Sequence, residues 1–333
     1  MKVLVTGGSG FLGKALCLKL HQLGHSVSYL SRSEAPELSA LSIKWFKGDI
    51  SNLSIVIDAT KEQSTVFHTA ALAGYWGKKE DFYSTNVKGT ENVINGCLKN
   101  NVPFLIYTSS PSIVFNGSDL ENIDETFSYP KKQLCLYSET KCIAEKIVLA
   151  NNKNGLKTIS LRPHLIWGPG DNHLLPRIIK KARKKEMKIV GNGKNKVDLI
   201  YIDNAVHGHI LAWQGLINLM PCDGKAYFIS DDEPIELWSW LNSLLQKLEL
   251  PEITKSISFQ KAYWLGAIIE QIYSLLNINR EPPMTRFVAV SLATHHYFNM
   301  KKAKTDFNYH TIVKEDEALE KTVKELKLNI GKV

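Results

Sequence analysis

Cysteine is scarce in this chain: five in 333 residues, none in a Cys-x-x-Cys or histidine-paired spacing. Cys17, Cys97, Cys135, Cys142 and Cys222 lie on apolar or helical stretches in odd number, which fits reduced thiols in a cytosol and excludes a disulfide framework. His207-Gly208-His209 and His295-His296 lack the spacing of zinc ligands, so no metal is expected. Long apolar runs are missing too: nothing approaches the roughly 18 uninterrupted residues of a membrane span. Met1-Lys2-Val3 enters a strand at once and leaves no room for a signal peptide, so a cytoplasmic protein is expected. There is no internal repeat and no low-complexity linker. Net charge is +8, and its densest run, Arg177 to Lys185, has no interleaved aromatic residues. That argues against nucleic acid and for a solvated helix face, one that would also attract an anionic cofactor, a carboxylate or anionic lipid.

What is present begins at the second residue. Lys2-Val3-Leu4-Val5-Thr6 reads as an apolar strand, followed by Gly7-Gly8-Ser9-Gly10-Phe11-Leu12-Gly13 and a run of helical period. Gly7 permits a tight turn, Gly10 lets the backbone approach a pyrophosphate, and Gly13 lets the helix pack close, with Phe11 and Leu12 on the same turn. The second strand, Ser26 to Ser33, carries no acid where one would grip the ribose 2′-hydroxyl of NAD. Ser31, Arg32 and Ser33 stand there instead and suit a 2′-phosphate, so NADP(H) is expected over NAD(H), which stays the alternative. The plainer reading of Arg32 is a strand end in solvent.

Thr65 to Ala71 and Pro103 to Ser110 read as two more buried strands, whose carboxyl ends are where ligands sit in a parallel sheet. His68 is expected as a packed strand-end histidine, and Ser110 as a hydroxyl able to hold a substrate carbonyl. Leu136 to Glu145 reads as a helix in which Tyr137 and Lys141, four apart, share a face. A cation held beside a phenol favours the phenolate, which makes Tyr137 a candidate acid/base with its pKa drawn down.

Gly7/Gly10/Gly13, Gly48-Asp49-Ile50, His68-Thr69-Ala70-Ala71, Asn86-Val87-Lys88-Gly89-Thr90, Thr108-Ser109-Ser110, Tyr137-x-x-x-Lys141 and Leu161-Arg162-Pro163 follow one another in order. This set resembles the extended short-chain dehydrogenase/reductase superfamily. The resemblance implies a catalytic set of Ser110, Tyr137, Lys141 and Asn86, with Asn86 supporting the active-site backbone and a proton path. It also implies cofactor contacts from Gly7, Gly10, Phe11, Leu12, Gly13, Ser31, Arg32, Asp49, Ile50, Ala70, Ala71, Tyr137, Lys141 and Pro163, with Asp49 at the adenine and Lys141 at the nicotinamide ribose. Thr108 to Phe115 and Leu161 to Asp171 look more narrowly like the 3β-hydroxysteroid dehydrogenase branch. Val190 to Asp198, Tyr201 to Ala205, Gly224 to Ser230 and Glu281 to Phe287 extend the likeness to the bacterial 2-alkyl-3-oxoalkanoate reductases. His164 departs from the arginine of those reductases, and Leu136 replaces a common proline.

The expected fold class is α/β, a Rossmann doubly wound parallel sheet with a smaller C-terminal substrate lobe. Residues 1–170 are expected to form the NADP-binding domain, with 197–215 and 225–230 returning to it, and 171–333 to be mainly the substrate lobe. Ala262 to Leu276 reads either as a core helix or as a greasy wall or lid for a lipid-like substrate, resting on a membrane surface in one version of the second reading. Trp264, Ile268 and Ile272 are its expected wall residues, and His164 and Arg177 the candidates to hold a carboxylate. The expected activity is NADPH-dependent reduction of a long-chain 2-alkyl-3-oxoalkanoate to the 3-hydroxy acid. A sterol 3-hydroxyl, a nucleotide sugar, or a non-catalytic NADP sensor are the alternatives. A homodimer through two helices of the sheet domain is the assembly that relatives suggest.

Overall fold

Val3 and Val5 point to one side of the first strand and Leu4 to the other, and all three are fully buried. A strand buried on both faces belongs in the middle of a three-layer structure. The computed structural model describes residues 1–329 and places Lys2–Thr6 near the centre of a seven-stranded sheet. Across the sheet the strands run Lys225–Ile229, Lys157–Pro163, Phe104–Thr108, Thr65–His68, Lys2–Thr6, Ser26–Ser31 and Lys44–Lys47, every neighbouring pair parallel. The strands alternate their side chains between two cores. Val5, Phe67, Ile106 and Ile159 pack on one side, beneath helices Phe11–Gln22 and Ile202–Ile217. Leu4, Leu30, Val66 and Leu105 pack on the other, with Val56, Val93 and Val148 from helices Leu53–Thr60, Gly89–Lys99 and Leu136–Ala150. This is the doubly wound parallel sheet expected from the alternation of strands and helices.

Chain order reverses beside Lys2–Thr6: the next strands step outward on one side, and Thr65–His68 returns on the other. Such a switch point opens a crevice at the carboxyl edge of the sheet. A smaller sheet in the order Ile235–Glu236, Lys196–Val197, His296–Phe298, Leu120–Ile123 stands apart from the large one. Leu120–Ile123 therefore leaves the first 170 residues to pair with a strand near the end of the chain. Helices Phe259–Leu275 and Arg286–Ser291 pack on each other, and Gly266 makes this contact close: a Cβ there would lie 2.6 Å from the Thr285 carbonyl carbon.

Helix Leu136–Ala150 is fastened to the strand Lys157–Pro163 by a buried ion pair, Arg162 to Glu145 at 2.6 Å. Ser160 donates to the same carboxylate at 2.7 Å and Tyr129 at 2.8 Å. Burial pushes the Glu145 carboxyl up, but the Arg162 charge and these hydrogen bonds outweigh it and leave the group below the ordinary carboxylate range. Removing one member of such a pair strands the other charge in the interior. Glu145→Ala is expected to lower unfolding free energy by about 3 to 5 kcal/mol in urea titrations. A loss below about 1 kcal/mol would show that the pair is not what holds the helix.

Candidate active site

Gly7 sits at φ +74°, where a side chain is strained, and a Cβ there would lie 2.8 Å from the Ala70 backbone. Its amide donates to the Leu30 carbonyl at 2.7 Å, which ties the turn to the second strand. At Gly13 a Cβ would come within 2.2 Å of the Gly7 carbonyl oxygen, so the helix can start this close to the strand only with glycine. Gly10 differs, because a Cβ would meet only that same carbonyl, at 3.2 Å, and its outer side is open. Helix Phe11–Gln22 begins there with no side-chain cap and no acid in its first turn. Unpaired amide groups and the positive end of the helix dipole face the crevice, a fit for a pyrophosphate.

Asp49 accepts from the Ser51 amide at 2.9 Å and lies 3.9 Å from the Arg32 guanidinium, whose side chain is 74% exposed. Ser31 is buried and turns its hydroxyl onto the Ser33 carbonyl at 2.6 Å. The first of the expected phosphate donors is therefore already engaged, and Arg32 and Ser33 remain. Ile50 is buried against Gly89, and Asn92 donates to the carbonyls of Ile50 and Ser51 at 2.9 and 2.8 Å. Ala70, Ala71 and Pro163 lie at or just past the carboxyl ends of their strands, Pro163 beside Ile229.

His68 is fully buried, bonded through Nδ1 to Thr6 Oγ1 at 2.7 Å and through Nε2 to Thr90 Oγ1 at 3.0 Å. Burial, aided by the nearby Lys141, holds its pKa down to about 3, which makes it the neutral packed histidine expected. Thr90 in turn donates to the Asn86 carbonyl at 2.6 Å. Asn86 lies in a π-turn, Tyr83–Lys88, a local widening frequent at functional sites. Its amide brackets Leu72, accepting from the backbone N–H at 2.7 Å and donating to the carbonyl at 3.1 Å. The same Nδ2 donates to Thr140 Oγ1 at 3.0 Å, linking the loop after Ala71 to the helix of Tyr137. Thr90, Asn92 and Thr140 were not singled out from sequence. Thr90 stands one turn after Asn86, and Thr140 beside Lys141.

Ser110, Tyr137 and Lys141 converge at the carboxyl edge. Ser110 precedes a short 3-10 turn, Pro111–Ile113; its Oγ lies 2.9 Å from Ser112 Oγ, and its hydroxyl acts on the Tyr137 phenol by favouring the phenolate. Lys141 is buried, donates to the Thr108 carbonyl at 2.5 Å and stands 4.2 Å over the Tyr107 ring. The electrostatics run opposite to the sequence expectation. Desolvation raises the Tyr137 phenol to about 12, with the Ser110 hydroxyl opposing it. Lys141 spends its charge on a carbonyl and a ring, and desolvation lowers it to about 7 against the upward pull of Glu145.

Beside this set lies a cavity of about 630 Å³, lined by Cys135 and Leu136 on one side and by Tyr75, Tyr263, Tyr273 and Phe287 among others. Trp76 closes one wall by donating to the Ile278 carbonyl at 2.9 Å, and the Tyr75 and Phe287 rings stand 4.7 Å apart. Trp264, Ile268 and Ile272 are not in the lining but face outward, 66%, 55% and 46% exposed, because the helix packs through Ala262 and Gly266. The core reading of this helix is thereby corrected. His164 is turned away from the cavity, Nδ1 on the Asp198 carbonyl at 2.7 Å, and Arg177 is paired with Glu281 at 2.9 Å. Neither lines the cavity; Lys78 and Lys132 do. Asp119, Glu121 and His295 place ligand-type atoms within 4.8 Å of one another, but each already bonds a protein group: the His295 amide, the Tyr297 hydroxyl and the Lys196 amide.

The position of Lys141 makes a measurable claim. A pKa lowered to about 7 leaves its amine charged below that pH and neutral above it, whereas exposed lysines stay charged to ~10.4. Competitive acetylation across pH is expected to give Lys141 a midpoint near 7. A midpoint matching the surface lysines would refute the desolvated placement.

Residues 4–260 match the 3-beta hydroxysteroid dehydrogenase/isomerase family. A 2-alkyl-3-oxoalkanoate reductase of Stenotrophomonas maltophilia (strain K279a) is 43% identical over 327 residues, 96% of this chain and 97% of the relative. A decarboxylating sterol-4-alpha-carboxylate 3-dehydrogenase of Mus musculus is 38% identical over 97% of this chain and 90% of the relative. Among solved structures, MoeE5 in complex with UDP-glucose and NAD superposes with a TM-score of 0.77 at 20% identity, covering 99% of this chain and 100% of that one, a likeness of fold alone. By matches that span most of its length, the chain belongs to the 3-beta hydroxysteroid dehydrogenase/isomerase family.

Proposed function

We propose that this NAD(P)-dependent oxidoreductase reduces the ketone of long-chain 2-alkyl-3-oxoalkanoates to the 3-hydroxy acid, with NADPH preferred. The observation that carries the reading is the cavity beside Tyr137: aromatic walls give room for alkyl arms, and Lys78 and Lys132 offer cations for a carboxylate. Likeness to the reductase of Stenotrophomonas maltophilia through both lobes supports it. The glycine turn and Arg32 would hold the cofactor, which supplies the hydride. Ser110 holds the ketone oxygen, and Tyr137 donates the proton that oxygen needs. A phenol raised to about 12 stays protonated at neutral pH and so stands ready as an acid, the form that reduction requires. Lys141 would bind the nicotinamide ribose by exchanging its bond to the Thr108 carbonyl, and Asn86 holds the loop after Ala71 in place against the Tyr137 helix.

The test is NADPH consumption against a panel of 2-alkyl-3-oxo acids, sterol ketones and nucleotide sugars. Turnover of the oxo acids is expected, rising about fourfold in kcat/KM for each added methylene until the cavity is full, from roughly 0.8 kcal/mol per buried CH₂. Tyr137→Phe is expected to bind cofactor normally and lose ~10² to 10⁴ in rate. Turnover of nucleotide sugars without the oxo acids would reject the substrate, and full activity in Tyr137→Phe would reject the acid.

Cofactor choice is tested separately. Arg32→Ala is expected to weaken NADPH about tenfold with little effect on NADH, the low end of a charge-assisted contact because the guanidinium is exposed. Adding Ser31→Asp is expected to reverse the preference. Equal affinity for both nucleotides in the parent chain would overturn the assignment.

A further inference from the structure

His207-Gly208-His209 is unused by the chemistry, yet the fold sets its second histidine behind the catalytic residues. His209 is fully buried on helix Ile202–Ile217, which packs on the strand Phe104–Thr108 from the face of the sheet opposite to helix Leu136–Ala150. Its Nδ1 lies 2.7 Å from the Ala205 carbonyl oxygen, one turn back, and its Nε2 lies 2.9 Å from Thr108 Oγ1. A carbonyl only accepts, so Nδ1 carries the proton. Burial lowers the His209 pKa to about 4 against the pull of the Ala205 bond. The ring is therefore neutral, its Nε2 is an acceptor, and the Thr108 hydroxyl donates to it.

Thr108 is the last residue of its strand and is held from both faces of the sheet, by its hydroxyl on His209 and by its carbonyl, which accepts from Lys141 at 2.5 Å. The neighbouring strand Thr65–His68 ends opposite Tyr107, so Thr108 has no ladder partner on that side and its carbonyl is left for the lysine. On the other side Thr108 pairs with Leu161, whose carbonyl takes the Ser109 amide at 2.6 Å. We propose that His209 is a positioning residue for this site, holding the end of the strand so that Lys141 and Ser110 stand beside Tyr137. The inference rests on the reading of Ser110, Tyr137 and Lys141 as the catalytic set. His209 acts through Thr108 and, being fully buried, touches neither substrate nor cofactor. The physical reason is competition for an acceptor. A threonine hydroxyl without a partner turns onto a nearby backbone carbonyl. The His209 nitrogen draws it to the far face, fixes a side chain already stiff at χ1, and leaves the carbonyl at the strand end to the ammonium. Ser110 leaves the same strand end two residues later, so one hydrogen bond bears on both groups.

Competitive acetylation of Lys141 in the full chain without cofactor tests the link independently of substrate and turnover, so its failure is separate from failure of the oxo-acid panel. Thr108→Val keeps the shape and the strand preference but removes the hydroxyl, and His209→Leu removes the acceptor. Each is expected to lower the Lys141 midpoint by about half a pH unit or more, because a carbonyl no longer held in place favours the charged amine less. Glu145, the neutral His68 and the Tyr107 ring, which also act on Lys141, are left in place. Thr108→Ser, which restores a hydroxyl, and His209→Gln, whose amide oxygen can take the place of Nε2, are expected to keep the midpoint of the parent chain. Thr108→Val combined with His209→Leu is expected to shift it no further than either change alone. In turnover, Thr108→Val is expected to lower kcat about tenfold while substrate KM moves less than about twofold. Should His209→Leu fail to fold, Thr108→Val against Thr108→Ser decides the question. A midpoint unmoved by Thr108→Val, or shifts that add in the double variant, overturns the proposal.

Discussion

The ion pair between Glu145 and Arg162 is the contact on which the site rests. Two charges taken out of water cost several kcal/mol each, and the pair is tolerable only because Ser160 and Tyr129 complete the carboxylate's hydrogen bonds. Tyr137, Lys141 and Glu145 follow one another at four-residue steps, so anchoring the third positions the first two. The anchor is electrical as well as mechanical. Burial alone would drive the Lys141 amine further toward neutrality, and the Glu145 carboxylate one turn away pulls in the opposite direction. The same pair thus sets where the amine stands and at what pH it carries charge.

From that anchor outward, the site is assembled from segments far apart in the chain. Thr6, His68, Thr90 and Asn86 form a continuous run of hydrogen bonds under the crevice, and Asn86 passes it to Thr140 on the Tyr137 helix. The glycine turn on one side and the phenol on the other are thereby fixed to one hydrogen-bonded frame. The smaller lobe adds the remaining wall through Tyr263, Tyr273 and Phe287. Its contact with the first lobe runs through Tyr75, Trp76 and Phe115, whose rings meet Phe287 or Tyr273.

Patterns with short-range causes were legible from residues alone. A strand buried on both faces, a turn that admits only glycine and a helix that repeats every four residues are each decided by neighbours within about ten positions, so the doubly wound sheet and its glycine turn could be read directly. Ser110 was legible at the carboxyl edge that parallel strands share, whereas its joining with Tyr137 in one site was implied by the resemblance to a known superfamily. The recruitment of Leu120–Ile123 into the smaller sheet was not, because its partner His296–Phe298 lies some 170 positions on and no local pattern names it.

By itself the sequence determined the sheet, the turn, and which residue types reach the crevice, since backbone sterics and side-chain periodicity act locally. Tertiary structure decided what those residues face. Lys141 meets a carbonyl and a ring instead of supplying the pull that lowers a phenol, Ser31 is tied to Ser33, and His164 and Arg177 are held by Asp198 and Glu281. It also turned Trp264, Ile268 and Ile272 outward, because Gly266 lets the helix dock by its smallest edge. Charge state and exposure depend on desolvation and on partners brought from distant parts of the chain, and those exist only after folding.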